Sequence, residues 1–139
     1  QELALKVVVG LMRTSGQLTQ FLKNDVSSYG LNSTEFGVLE LLWSKGEYPV
    51  QQIAKKILIS SSSTTYVINQ LEKKGLVQRR IDAKDRRVAY IGLSPSGFDL
   101  MREIFPVHVA KLDKVFGNLS EAELQGLSTL LKKINFDLP

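Results

Sequence analysis

Arg86 and Arg87 stand side by side directly after Asp85, at the end of the charged stretch Asp82-Ala83-Lys84-Asp85-Arg86-Arg87. A guanidinium is planar, permanently charged and fork-shaped. It suits phosphate and the negative potential of a narrow DNA minor groove. A carboxylate is out of place in a phosphate-seeking patch unless it orients an arginine through a charge-assisted hydrogen bond. Asp85 is therefore expected to orient a neighbouring arginine. Upstream lies Ser61-Ser62-Ser63-Thr64-Thr65-Tyr66, then Asn69 and Lys73. Short hydroxyls let a backbone approach base edges, and an Asn amide can pair bidentately with adenine. Tyr66 can donate to a phosphate or lie against thymine methyls. Lys55, Lys56 and Lys73 are candidate phosphate contacts, which add affinity without sequence information, and Lys84 joins the candidate DNA contacts. The chemistry these residues support is recognition of double-stranded DNA.

Charge placement agrees. Between Glu72 and Tyr90 seven basic residues (Lys73, Lys74, Arg79, Arg80, Lys84, Arg86, Arg87) accompany three acids (Glu72, Asp82, Asp85), an excess equal to the +4 of the whole 139-residue chain. A charge run is most often a solvated face, but one that holds the entire positive excess is the electrostatic footprint of nucleic-acid binding.

Other classes are disfavoured. There is no cysteine, which removes disulfides, thiolate metal sites and a thiol redox sensor from these residues. The chain is 43% hydrophobic, yet no apolar run approaches the roughly 20 residues of a membrane span. Gln1 to Gly10 lacks the layout of a signal peptide. A cytoplasmic protein with no membrane partner is expected. A Gly-rich phosphate loop, a histidine pair and a nucleophile motif are all missing, so no enzyme, cofactor or metal site is expected. The alternative is a winged-helix module that binds protein. Such a module needs neither paired arginines at a ribbon tip nor a hydroxyl-rich helix face.

The elements that must position these residues follow from periodicity. Residues 2–28 predict one long helix with Ala4, Val8, Leu11, Ser15, Leu18 and Leu22 in a heptad-like stripe. Asn32 with Glu35 forms a capping box for a helix over 33–44. Pro49 suits the first turn of a third helix, whose Val50, Ile53, Ala54 and Ile57 make one buried face. Ser60 or Ser61 then caps a helix that runs to about Lys74 and stops at Gly75. On a wheel of about 100° per residue, Thr64, Val67, Ile68 and Leu71 face the core. Opposite them lie Ser62, Tyr66, Asn69 and Lys73, flanked by Ser63, Thr65 and Gln70. Strands at 76–81 and 88–93 flank a wing tip from Asp82 to Arg87. Ser94-Pro95 opens a helix to about Phe116 with the stripe Phe98, Met101, Phe105, Val109, Leu112 and Phe116, bent or broken at Pro106. His108, the single histidine, falls beside that stripe and is taken as structural. Ser120 with Glu123 opens a last helix with Leu124, Leu127, Leu131 and Ile134 on one side.

The predicted fold is mainly α with a small β wing: one domain over 1–139. Its winged helix-turn-helix lobe (31–94) is flanked by N- and C-terminal dimerisation helices (1–30 and 95–139). A helix-turn-helix reading a duplex usually works as a two-fold homodimer on a pseudo-palindromic operator.

The ordered set Leu31-Asn32-Ser33-Thr34-Glu35-Phe36-Gly37-Val38-Leu39, Gln52-Ile53-Ala54, Leu71-Glu72-Lys73-Lys74-Gly75-Leu76-Val77, Asp85-Arg86-Arg87 and Leu93-Ser94-Pro95-Ser96-Gly97 resembles the MarR family of winged-helix transcriptional regulators over nearly the full chain. The resemblance implies a homodimer knitted by its terminal helices. It also implies a recognition helix in the major groove and a wing arginine, Arg87, in the minor groove with Asp85 as partner. Ser94 stands where the family usually has Thr, and Tyr66 near where many members carry Arg. Val50 to Ala54 and Thr65 to Ile68 are similar to a branch that responds to quinones or other aromatics. A repressor released by a small aromatic effector is the expectation. Candidate effector contacts are Met12, Arg13, Phe36, Trp43 and Phe105, though these types also suit a core.

Overall fold

The structure, a computed structural model, describes residues 2–57 and 61–138. Among the described residues six helices and three strands follow one another: α1 (Glu2–Ser27), α2 (Ser33–Lys45), β1 (Tyr48–Pro49), α3 (Val50–Ile57), α4 (Ser61–Lys73), β2 (Val77–Ile81), β3 (Ala89–Leu93), α5 (Pro95–Val115) and α6 (Glu121–Lys133). They fall into two compact units, Gln1–Arg102 and Glu103–Pro139.

In the first unit α2, α3 and α4 pack on one another and on an antiparallel sheet of order β1-β3-β2. The core holds Phe36, Val38, Leu39 and Leu42 from α2, Ile53 from α3, and Thr64, Val67, Ile68 and Leu71 from α4. Val77, Ile91 and Leu93 add the inner face of the sheet. The core side of α4 is thus the one the wheel predicts. Local chemistry sets the ends of these elements. The Asn32 side chain accepts from the Glu35 N–H while the Glu35 carboxylate accepts from the Asn32 N–H, closing the predicted box. At the end of α4, Leu76 N–H donates to Leu71 C=O and Gly75 N–H to Glu72 C=O. This arrangement needs a left-handed residue, and Gly75 supplies it with φ +73°.

Three expectations need correction. Pro49 does not begin a helix: Tyr48 and Pro49 form β1, paired with Ile91 and Tyr90 of β3. Proline fits there because an edge strand has an N–H to spare. The buried stripe of α5 is Gly97, Met101, Ile104 and His108, not the run through Phe98 and Val109, both of which are exposed. The side-chain-free face at Gly97 rotates that stripe inward, because it lets the helix approach the Leu76 carbonyl. Of the bend or break expected at Pro106, the break does not occur: α5 continues as α-helix through it. The Ser60 cap lies outside the described residues.

In the second unit Ser120 and Glu123 form the predicted reciprocal box at the start of α6. α6 buries no residue.

Candidate nucleic-acid interface

The outer face of α4 is polar and open. Ser63, Thr65, Tyr66, Asn69 and Lys73 are exposed, Tyr66 at 64%. Ser61 and Ser62 lie in the first turn of the same helix. Three hydrogen bonds organise this face. Gln70 Nε2 donates to Tyr66 Oη at 2.8 Å. Arg79 Nη2, on β2, donates to Glu72 Oε1 at 2.7 Å and to Asn69 Oδ1 at 3.4 Å. Asn69 and Glu72 are three residues apart, so one guanidinium spans both.

The wing tip is built by its aspartates. Asp82 N–H donates to Val88 C=O, and Val88 N–H to Asp85 C=O, each at 3.0 Å. Lys84 N–H donates to Asp82 Oδ1 at 3.2 Å. Asp85 receives three bonds from Arg87: the backbone N–H and Nε on Oδ1 at 3.1 and 3.0 Å, and Nη2 on Oδ2 at 3.2 Å. The side-chain pair, and then the backbone bond, holds the Asp85 carboxyl below the usual carboxylate range, and the side-chain pair holds the Arg87 guanidinium above its own. The Arg87 side chain nevertheless stays 90% exposed. The structure thus has Asp85 orienting an arginine, Arg87.

The fold redistributes the positive charge. Lys74 donates to Glu35 Oε2 at 2.8 Å and to the Gly30 carbonyl at 2.9 Å, tying the end of α4 to the start of α2. Arg80 forks onto Glu47, at 2.7 Å from Nη2 to Oε1, and lies 4.5 Å over the Tyr90 ring. The fork holds the Glu47 carboxyl below its ordinary range. Arg79 thus joins β2 to α4, and Arg80 joins β2 to the segment between α2 and β1. Glu35 and Glu47 join the basic segment only through folding, so its local excess is smaller than the linear count. Among the described residues the side chains of Lys73, Lys84 and Arg86 have no protein partner. Arg79 escaped selection as a site residue because only its cross-strand register, opposite Ile91, returns it to α4.

The five effector candidates lie in different settings. Phe36 is a core side chain of α2. Trp43 is half-buried, its ring tilted 58° to Phe98 at 6.2 Å. Met12 and Arg13 are exposed on α1, and Phe105 is half-buried on α5. Two surface depressions of the first unit have other linings: Ser33, Thr34, Gly37 and Ile57 in one, and Val50, Gln51, Ala54, Thr64 and Thr65 in the other.

Comparison with known proteins agrees with this geometry. The model of the MarR family matches residues 31–89. Over 136 residues the chain is 39% identical to the HTH-type transcriptional regulator MhqR of Bacillus subtilis (strain 168), covering 98% of this chain and 94% of that protein. Among solved structures, BpsR of Bordetella bronchiseptica, whose DNA binding is regulated by 6-hydroxynicotinic acid, matches with a TM-score of 0.79 and 26% identity over 92% of this chain and 97% of that one. Sco3205 of Streptomyces coelicolor, a MarR family regulator solved in complex with DNA, shares the fold at a TM-score of 0.87 and 21% identity, over 95% and 85% of the two chains.

Proposed function

This chain belongs to the MarR family and is a DNA-binding transcriptional regulator, and from that premise we propose that it acts as a homodimeric repressor on a pseudo-palindromic operator. In this reading α4 enters the major groove. Ser61, Ser62, Ser63, Thr65, Tyr66 and Asn69 approach bases there, and Lys73 meets a phosphate. The wing lays Arg87 into the minor groove, with Asp85 as its brace and Lys84 and Arg86 on the backbone. The observation that carries the reading is the wing arginine: braced along one edge by both carboxylate oxygens of Asp85, yet 90% exposed. A guanidinium held this way has lost rotamer entropy in advance and is available to a partner.

The lobe over 31–94 reads DNA, and the segments 1–30 and 95–139 supply the dimer interface. Leu3, Leu5, Val8 and Met12 of α1 are exposed, as are Leu127, Leu130 and Leu131 of α6 and the following Phe136 and Leu138. Exposed apolar surface on this scale marks an interaction site. The role is binding rather than catalysis, in the cytoplasm where the operator lies. Among the described residues no helix is long and apolar enough to cross a membrane. Repression follows if occupancy of the operator excludes other proteins. A small aromatic effector would relieve it by binding one dimer shape more tightly than the other. Arg13 is the effector candidate with a charge suited to an anionic aromatic.

Selection of bound duplexes from a random pool tests this directly. The expected product is a two-fold motif with half-sites about 10 bp apart, one helical turn. Enrichment without two-fold symmetry contradicts the dimer reading, and no enrichment contradicts operator recognition.

A further inference from the structure

Asn69 is exposed on the outer face of α4, but its amide is not free to turn. A guanidinium carries five donors and no acceptor. Arg79 can therefore face only the carbonyl edge of that amide, and Nη2 stands 3.4 Å from Oδ1. The contact is long, yet the guanidinium is anchored independently by its 2.7 Å bond to Glu72. Nη2 has two hydrogens, one for each acceptor. Turning the amide over would place NH₂ against a donor-only cation, with repulsion and no bond. Oδ1 is thus committed to the wing side, and the Nδ2 hydrogens remain for an outside partner.

Tyr66, one turn earlier, is polarised in the same sense. Its Oη accepts from Gln70 Nε2 at 2.8 Å, so its own hydrogen remains to be donated. Two adjacent groups on one exposed face are both set as donors.

We propose that Arg79 is a positioning residue which makes Asn69 a one-way donor, so that this helix face selects a base with an acceptor-only edge. In the major groove guanine offers two acceptors, N7 and O6, one for each Nδ2 hydrogen, where thymine offers O4 alone beside its methyl. Adenine offers N7 beside an N6 donor, and cytosine presents a donor. The bidentate pairing of asparagine with adenine needs Oδ1 to turn outward together with Nδ2, and Arg79 opposes this. The proposal rests on the DNA-binding reading of α4 and specifies which base it prefers.

The test uses the same duplex selection on the dimer, with affinities then measured for duplexes varied at one position. Wild type should prefer guanine at the position that loses discrimination in Asn69→Ala. Arg79→Met frees the amide and should shift that position toward adenine by about tenfold, with other positions unchanged. Arg79→Lys keeps a donor-only cation and should retain guanine. In the Asn69→Ala background Arg79→Met should have no further effect on preference. Asn69→Asp, which pairs with Arg79 whether or not Arg79→Met folds, should lose the guanine preference because it has no donor. A uniform loss of affinity in Arg79→Met with base preference intact would overturn the proposal, as would an Asn69→Asp protein that still selects guanine. A wild type that enriches no motif overturns the DNA-reading premise itself, a separate result.

Discussion

Asp85 and Arg87 make an ion pair at the surface, their side chains 40% and 90% exposed, where such pairs contribute little to folding. Orientation is a better account of three hydrogen bonds on one exposed carboxylate. Asp85→Asn should then lower operator affinity about tenfold while leaving non-specific binding unchanged or stronger, since one negative charge is lost. Equal loss on operator and random duplex, measured at one salt concentration, would contradict positioning. The depressed Asp85 pKa fixes the sign of the pH effect. A carboxyl whose folded value lies below its unfolded one contributes fully above the unfolded value, and the contribution fades as pH falls through the folded value. An NMR titration of the Asp85 carboxyl carbon should give a midpoint below the ordinary value of about 3.9. Lys74, Arg79 and Arg80 behave differently. Each is a cation in the sequence but a cross-link in the fold, joined to Glu35, Glu72 and Glu47.

The elements are held by short, specific joints. The best defined lies where β3 passes into α5. Ser94 N–H donates to Leu76 C=O at 3.0 Å, its hydroxyl donates to Gly75 C=O at 2.6 Å, and the same oxygen accepts from Gly97 N–H at 3.0 Å. The end of the recognition helix, the wing and the start of α5 are thereby fixed together. A side chain at Gly97 would collide with the Leu76 carbonyl, a backbone atom that cannot swing aside. Gly97→Ala should cost about 1–3 kcal/mol in urea unfolding. An unchanged unfolding midpoint would show that the joint tolerates displacement. Serine where the family usually has threonine keeps every bond of this joint.

At the scale of the whole molecule the open question is what covers the apolar residues. α6 has no buried residue, and a helix of 13 residues is marginal alone in water. Leu127→Glu should therefore give a monomer by light scattering at micromolar concentration. It should also weaken operator binding about a hundredfold or more, because two half-sites are no longer held by one particle. A stable dimer in this variant would place the interface elsewhere. Wild-type unfolding should in turn depend on protein concentration.

Periodicity and capping chemistry alone determined the six helices, the two wing strands, both capping boxes and the core side of α4. These depend on neighbours within one or two turns, which the chain order records. The family was legible for the same reason, since its motif set is ordered along the chain. β1 was not legible, because two residues become a strand only when β3 supplies their partners. Nor was the buried stripe of α5, which turns on the approach of Leu76 to Gly97. The candidate site divides the same way. The Asp85–Arg87 brace spans two residues and was visible in the sequence. The Arg79–Asn69 contact, and the neutralisation of Lys74 and Arg80 by Glu35 and Glu47, were decided by tertiary structure. A charge finds such partners only across the fold, and linear spacing does not encode which ones.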